Sequence, residues 1–386
     1  MRMAIRVYFS RSRINRRNLD DRSIRSVPRE HRFVPGGMSK LQLDGNRVDI
    51  AADAAIAVVA SILRASGCAA DVAMLVAEHL ADASLCGVES HGLMRVLQYR
   101  QQFADGMMQA DAEPRFSRAA NGACEVDGNG CIGIAAMRLA IEQACALAAA
   151  NGISALAIRN TGHTGRLGSY AEHAAERGFL TIMIGGGNRK TWRQVAPYGG
   201  RQAKLPTNPY CIGIPGGERG PVILDFATSK IAGGWIYAAQ SAGARLPEGA
   251  IIDADGNPST DPQDYFDGGA ILPAGGAKGY ALALMAELIA EAMLGPVTTE
   301  CNWLLITLKT SIYREASALR EVAEDILQDI RECPPAPGFD RVEIPGERER
   351  EQRRRANGRI AVPAQTWQQI LALQQNVQES GSTSAV

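Results

Sequence analysis

The pattern of apolar and polar positions divides the chain into a helical first part and an alternating second part. From residue 48 to about residue 103, apolar residues recur at helical spacing, and Asp71 stands where the N-cap of a helix is expected. From residue 123 onwards, short β-branched runs alternate with alanine-rich helical stretches. This alternation predicts an α/β fold in which a sheet is covered by helices.

Individual elements can be predicted in the second part. Helices are predicted over 135–150, 166–177, 278–294 and 313–331, and strands over 153–158, 179–184 and 222–225. Gly152 and Gly178 are expected to end the first two helices, because glycine readily adopts the conformation that closes a helix. The proline-rich run Pro334-Pro335-Ala336-Pro337 marks a linker before a basic and polar end.

Composition narrows the class of protein. The chain has 386 residues, of which 46% are hydrophobic, so a wholly disordered or small disulfide-stapled protein is excluded. The longest apolar stretches, such as 54–63, are shorter than the roughly 20 residues that a membrane-spanning helix needs. We therefore expect a soluble protein that does not enter a membrane.

A formal charge of zero conceals two oppositely charged parts. Residues 1–37 contain ten arginines and three acidic residues, about +7, which leaves the remainder at about −7. An acidic body argues against a broad nucleic-acid or anionic-membrane surface. The arm lacks an apolar signal-peptide core, so we expect it to be disordered or not native, with Met38 as the true start; the alternative is a basic nucleic-acid-binding or targeting arm.

The eight cysteines give no sign of disulfides or metal. They are scattered along the chain, with no C-x-x-C pair and no clustering with the five histidines. We expect a cytoplasmic protein with mostly buried thiols in a reducing environment, and no metal site.

Residues 128–133 match the dinucleotide-binding fingerprint G-x-G-x-x-G, but their context does not. The preceding run 123–127 is short and half polar. The next predicted strand ends in Arg159-Asn160, without the acidic residue that would hold a ribose. A glycine-rich turn is therefore the preferred interpretation over a Rossmann site.

One histidine and one arginine have the chemistry of a hydroxy-acid site. His91 and Arg95 are four residues apart, hence on one face if the segment is helical. Histidine exchanges protons near neutral pH, and arginine binds a carboxylate with a planar fork. The pair would fit the C2 oxygen and C1 carboxylate of a 2-oxo acid, although such a pair is also common on a solvated helix face.

Three further segments are candidates for cofactor contacts. Residues 162–168 lie between a strand and a helix, and residues 275–279 open another helix beside Lys278; free amides at such positions attract phosphate. Residues 225–229 follow an apolar strand and could contact a ribose or an amide. Ordinary glycine turns and a helix cap are the respective alternatives.

At these residues the chain resembles the malate/L-lactate dehydrogenase-like family, which includes sulfolactate, ureidoglycolate and hydroxycarboxylate dehydrogenases, over 38 to about 373. The matching stretches are Ser90-His91-Gly92 with Arg95, residues 162–170, 195–200, 207–209 and 225–229, residues 246–249 with 253–256, Lys278-Gly279-Tyr280, and Pro345-Gly346-Glu347. So many matches in order are specific for the family and say little about the substrate.

The resemblance implies a non-Rossmann NAD(P)-binding sheet with helical cover, helical N- and C-terminal segments and usually a homodimer. It implies that His91, supported by Ser90, exchanges the proton, with Arg95 and Thr207 binding a small 2-oxo or 2-hydroxy acid. The implied contacts to NAD or NADP are His163, Thr164, Gly165, Arg166, Leu167, Asp225, Phe226, Ala227, Ala277, Lys278, Gly346 and Glu347.

The expected organisation has five segments. They are the arm 1–37, a helical N-terminal block 38–120, the α/β cofactor domain 121–300, a C-terminal segment 301–375 that returns to the N-terminal block, and a tail 376–386.

Two departures from the family pattern leave other functions open. Ala277 stands where many relatives carry a larger residue, and the link 295–302 is short, which allows a degenerate cofactor-binding member. Members that reduce cyclic imine carboxylates carry an acidic residue where this chain has Gly233-Gly234-Trp235, which favours a C=O substrate. Arg189-Lys190 could meet the 2′-phosphate of NADP or be an exposed basic turn.

Overall fold

The computed structural model describes residues 25–26 and 46–383. The strands are β1 (Arg25–Ser26), β2 (Arg47–Ala51), β3 (Arg115–Arg118), β4 (Cys124–Asp127), β5 (Ile153–Thr161), β6 (Phe179–Gly186), β7 (Pro209–Ile214), β8 (Val222–Ala227), β9 (Ile251–Ile252), β10 (Pro258–Ser259), β11 (Ala270–Ile271), β12 (Cys301–Lys309) and β13 (Arg359–Pro363). The helices are α1 (Ala52–Ala65), α2 (Ala70–Leu85), α3 (Arg95–Ala104), α4 (Gly133–Asn151), α5 (Leu167–Glu176), α6 (Gly233–Ala242), α7 (Pro262–Phe266), α8 (Ala277–Glu287), α9 (Ala316–Glu332), α10 (Glu347–Ala356) and α11 (Ala364–Thr383).

A seven-stranded mixed sheet forms the centre, in the order β3-β4-β5-β12-β6-β7-β8. Only β4 and β5 are parallel, and α4 connects them; the other neighbours are antiparallel. A Cβ on Gly213 would meet Ala171 of α5, whereas one on Gly186 would meet Ala286 of α8, so helices cover both faces. The predicted α/β fold is confirmed, with an arrangement unlike a doubly wound parallel sheet.

The N-terminal block and the C-terminal end share one hydrophobic core. Strand β2 pairs along its length with β13, about 310 residues later. Buried residues of α1 and α2 cluster with Ile360 of β13 and Ile370 of α11. These contacts join β2, α1 and α2 to β13 and α11 near the other end of the described chain.

Several predicted boundaries differ from the structure. Residues 47–51 form a strand instead of a helix because β13 supplies a pairing partner that the local pattern does not contain. Strand β12 falls in the predicted C-terminal segment but lies in the middle of the central sheet, between β5 and β6. Helix α11 continues through the predicted tail to Thr383.

Helix ends also differ. The N-cap of α2 is Ala69, and Asp71 lies in the first turn. The predicted helix 278–294 divides into α8 and a π-helical stretch, Leu288–Met293. Helix α9 begins at Ala316, after a 3₁₀ turn, rather than at residue 313.

Most of the basic arm lies outside the described residues, which include only Arg25–Ser26 of it. Those two residues pair with Val48 and Asp49 at the edge of β2. The expectation of an unstructured arm did not include this short strand.

Residues 128–133 form a glycine-rich turn that leads into α4, in agreement with the interpretation of this segment as a turn. The amides of Gly128 and Gly130 donate to the carbonyls of Arg159 and Asn160 at 2.8 and 2.7 Å. A Cβ on Gly133 would lie 2.2 Å from the carbonyl oxygen of Gly162. These glycines therefore allow close backbone packing between the turn and the end of β5.

Helix α4 is the one described helix that is long and apolar enough to cross a membrane by composition. Ten of its 19 residues are buried, and they pack in the central core with β5 and β12. It is a core helix of the α/β domain.

Candidate active site

His91 lies in a short 3₁₀ turn, Glu89–His91, and Arg95 begins α3. Their spacing is compatible with one helix, but the two residues lie in separate elements. Ser90 joins them instead. Its hydroxyl lies 2.9 Å from Nδ1 of His91, and its carbonyl oxygen accepts a hydrogen bond from Nε of Arg95.

A second histidine lies beside His91. The ring centroids of His91 and His163 are 5.2 Å apart. The hydroxyl of Tyr99 donates to Nδ1 of His163 at 2.7 Å, and the amide of Gly165 approaches the same nitrogen at 3.3 Å. With its Nδ1 lone pair used in this way, neutral His163 carries its proton on Nε2.

Burial and positive neighbours keep these imidazoles neutral. Burial first, and then the charge of Arg95, lowers the pKa of His91 to about 3. The same two causes hold the pKa of His163 well below its usual value. The sequence had suggested ordinary histidine titration near neutral pH; the structure instead presents a neutral base in the free protein.

The loop that carries His163 is fixed by buried groups. Nε2 of His79 accepts from the amide of Arg166 at 2.9 Å, and the His79 ring stacks on Tyr170. The Arg166 side chain, 7% exposed, pairs with Asp82 at 2.7 Å and lies 3.6 Å from Glu172. Its guanidinium is therefore occupied within the protein.

Other predicted cofactor contacts in this loop are also buried. Thr164 and Gly165 are buried, and the Leu167 side chain belongs to the central hydrophobic core. These positions can present backbone atoms at the start of α5, and the side chains of Arg166 and Leu167 have other partners.

Strand β8 contacts both the loop that carries His163 and the turn at Pro345-Gly346. Oδ2 of Asp225 accepts from the amide of Gly168 at 2.7 Å. The amide of Ile223 donates to the carbonyl of Pro345 at 3.1 Å, which places Gly346 against the same strand.

The remaining predicted side chains of this region have protein partners. Phe226 stacks on Tyr210, with ring centroids 6.1 Å apart. Glu347 pairs with Arg331 at 2.7 Å. Ala227 pairs with Pro209 in the sheet.

Thr207 lies near the start of α8, at the other end of β8. Its carbonyl accepts from the amide and the hydroxyl of Thr228, both at 2.9 Å. The carbonyl of Thr228 in turn accepts from the amide of Ala274, two residues before Gly276, the N-cap of α8. Ala277 and Lys278 are exposed in the first turn of that helix.

The structure thus brings the predicted residues into three groups. The first group consists of Ser90, His91, Arg95 and His163. The second consists of the loop through Leu167 together with Asp225 and Gly346, and the third of Thr207, Ala277 and Lys278. Strand β8 links the second to the third, and the His163 loop links the first to the second. No hydrogen bond among the described residues joins Thr207 directly to His91.

Sequence reasoning missed four residues around His91. Tyr99 and Gln102 follow Arg95 by four and seven residues, so helical spacing could have found them. His79 and Glu300 come from distant segments, and no local pattern indicates them. Nε2 of Gln102 donates to Oε1 of Glu300 at 3.1 Å, which brings the link before β12 to α3.

Known proteins are similar to this chain in sequence. The family model described as malate/L-lactate dehydrogenase matches residues 50–371. The L-lactate dehydrogenase of Cupriavidus necator is 33% identical over 330 residues, covering 82% of this chain and 94% of that protein. A Delta(1)-pyrroline-2-carboxylate/Delta(1)-piperideine-2-carboxylate reductase of Pseudomonas putida is 38% identical over 235 residues, covering 61% of this chain and 68% of that protein.

A solved structure has the same fold. The malate dehydrogenase from Entamoeba histolytica superposes with a TM-score of 0.79 at 23% identity, over 86% of this chain and 98% of that one. The mixed seven-stranded sheet with its helices is thus the architecture of this group of proteins.

Proposed function

Because the chain belongs to the malate/L-lactate dehydrogenase family, we propose that it is an NAD(P)-dependent oxidoreductase that interconverts a 2-hydroxycarboxylate and a 2-oxocarboxylate. The observation that carries this proposal is the group of Ser90, neutral His91 and Arg95, which combines a proton acceptor with a carboxylate-binding cation.

His91 is the proposed acid and base. In the oxidation of a hydroxy acid, its neutral Nε2 accepts the hydroxyl proton while Nδ1–H donates to the Ser90 hydroxyl. In the reverse direction the protonated ring returns the proton to the carbonyl oxygen. Ser90 is suited to both states because a hydroxyl can donate or accept.

Arg95 is proposed to couple substrate binding to proton transfer. Its positive charge is one cause of the lowered pKa of His91. A substrate carboxylate bound to the guanidinium would offset that charge, and the pKa of His91 would rise toward the working range. Nη2 of Arg95 has no hydrogen bond to any described residue, so it is available for such a contact.

The residues around α8 fit a phosphate-bearing cofactor. Lys278 is an exposed cation in the first turn of an 11-residue helix, where amides and helix dipole favour an anion. We assign Lys278 and the backbone of Ala277 to the pyrophosphate of the cofactor. The backbone of residues 163–167 and 225–227 and the turn at Gly346 would contact the other parts of the cofactor. NAD or NADP would supply or accept the hydride. A homodimer in the cytoplasm remains our proposal for its working state.

The test is a panel of 2-oxo acids with NADH and NADPH, followed by cofactor absorbance. Turnover of at least one 2-oxo acid, abolished in Ser90→Ala/His91→Ala, is expected. Cofactor binding without turnover on any member of the panel would instead support a degenerate binding protein.

A second candidate is the reduction of a cyclic imine carboxylate, favoured by the similarity to the Pseudomonas putida reductase. Its substrates also carry a carboxylate for Arg95. Assays of pyruvate and pyrroline-2-carboxylate side by side distinguish the two, since a clear preference for the imine would replace the leading proposal.

A further inference from the structure

A partly buried acidic side chain lies near the proposed carboxylate-binding residue. Glu300 is fixed by the hydrogen bond from Nε2 of Gln102, a residue only 6% exposed. Gln102, Tyr99 and Arg95 project from one face of α3, since they are spaced by three and four residues. Burial raises the pKa of Glu300 and lowers that of Arg95, and the opposite charge of each residue favours the charged form of the other.

The link that carries Glu300 is anchored on both sides. Nδ2 of Asn302 donates to the carbonyls of Gly295 and Ala290 at 2.9 and 3.1 Å. The side chain of Asn188 donates to the carbonyl of Thr299, and the Thr298 hydroxyl donates to Asn160. Glu300 is therefore held beside the site by its neighbours in the short link 295–302.

We propose that Glu300 is a specificity-determining residue that restricts the substrate to 2-oxo or 2-hydroxy acids with a single negative charge. This inference rests on the proposed function, because it assumes that Arg95 binds the substrate carboxylate. One carboxylate compensates Arg95; a second anionic group on the substrate would meet Glu300.

Charge repulsion at close range in a partly buried site is a strong means of discrimination, because it penalises the wrong ligand directly. A neutral substrate end with an N–H or O–H donor gains instead, since a carboxylate oxygen of Glu300 can accept its hydrogen bond. The substrate class is therefore a monocarboxylate whose far end is uncharged or a hydrogen-bond donor.

Two nearly isosteric substrates isolate charge from size: oxaloacetate, with two carboxylates, and 2-oxosuccinamate, in which the second carboxylate is an amide. We expect kcat/KM of the wild type to favour 2-oxosuccinamate by about tenfold or more. Glu300→Gln should reduce this ratio by about tenfold, because it removes the charge and keeps the shape. Asp105→Asn, which removes an exposed charge just after α3, should leave the ratio unchanged.

The outcomes separate this inference from the proposed function. Turnover of pyruvate and both larger acids with a wild-type ratio near one, or an unchanged ratio in Glu300→Gln, overturns the role of Glu300 alone. Turnover of no 2-oxo acid overturns both. If Glu300→Gln does not fold, the ratio measured on the wild type still decides. A comparison of two inhibitors of the wild type adds a second measurement: oxalate, a dianion, should inhibit at least about tenfold more weakly than oxamate, a monoanion.

Discussion

The group around His91 and the turn that begins α8 are built in opposite ways. The residues of the first group are partly buried: Ser90 is hydrogen-bonded to His91 and Arg95, and the ring of His163, which is bonded to Tyr99 of α3, lies beside His91. Lys278 is exposed and forms no ion pair with any other residue the structure describes. Burial can set the charge state of the group around His91 before a ligand binds, whereas the turn at α8 presents an exposed cation, Lys278, to a ligand.

The largest effect should come from removing the proton carrier. His91→Ala is expected to lower kcat by about 10² to 10⁴ while cofactor affinity is kept, because the imidazole acts mainly in the transition state. His173→Ala, a histidine paired with Glu142 on the outer side of α5, is the matched control. More than about a tenth of wild-type turnover in His91→Ala, with a deuteride isotope effect showing that chemistry limits the rate, would contradict the assignment.

Arg95 should give a different kinetic signature. Loss of a charge-assisted hydrogen bond, about 1.5–3 kcal/mol, predicts that Arg95→Ala raises KM by roughly 10- to 100-fold, with a smaller change in kcat. Arg95→Lys should recover part of this, since it keeps the charge but not the planar fork. An unchanged KM for the carboxylate substrate in Arg95→Ala would remove Arg95 from the binding site.

Burial of neutral histidines should make stability depend on pH. The pKa is lowered to about 4 for His79, by burial and then Arg166, and to about 3 for His91. The unfolded chain therefore takes up protons first, and stability falls as pH decreases below about 6.5, by up to about 1.4 kcal/mol per pH unit for each histidine.

Urea unfolding of the wild type and of His79→Gln at pH 7, 6 and 5 measures this slope, and the difference between them cancels the titration of buried carboxylates such as Asp225, whose pKa burial raises. His79→Gln should reduce the slope by one histidine's share. A free energy of unfolding that does not change over this range would show that the histidines are not held neutral.

A substitution of Lys278 tests the exposed turn that begins α8. Lys278→Ala should raise the apparent cofactor constant by about tenfold, the effect of losing one charge-assisted contact, with little change in KM for the substrate. Lys204→Ala, another exposed lysine, serves as the control. Equal cofactor constants for wild type and Lys278→Ala would place the pyrophosphate elsewhere.

The smallest effect is expected from the basic arm. Deleting residues 1–37 removes only the two-residue β1 from the described structure, at the edge of the β2–β13 pair. Turnover and thermal midpoint should match those of the full chain within error. A clear loss of either would mean that the arm belongs to the working fold.

How much of the site could be predicted depends on where its parts lie in the chain. The residues at 90–95, 162–168 and 275–279 were found because each short segment contains its own chemical pattern. Tyr99 and Gln102 were within reach of helical spacing, but nothing local distinguished them from other polar helix residues. Glu300 could not be found, because its role depends on a link that meets α3 only after β12 has entered the sheet.

The sequence by itself determined the α/β alternation, the glycine turn at 128–133 and the residue types that can exchange a proton or bind an anion, because periodicity and side-chain chemistry are local. Only the tertiary structure decided that β12 pairs between β5 and β6 and that β13 makes a strand of residues 47–51. It also decided that Arg166 pairs with Asp82 and Glu172 and that His91 is neutral. Strand pairing, burial and charge compensation depend on groups that are far apart in the chain, so local sequence patterns do not specify them.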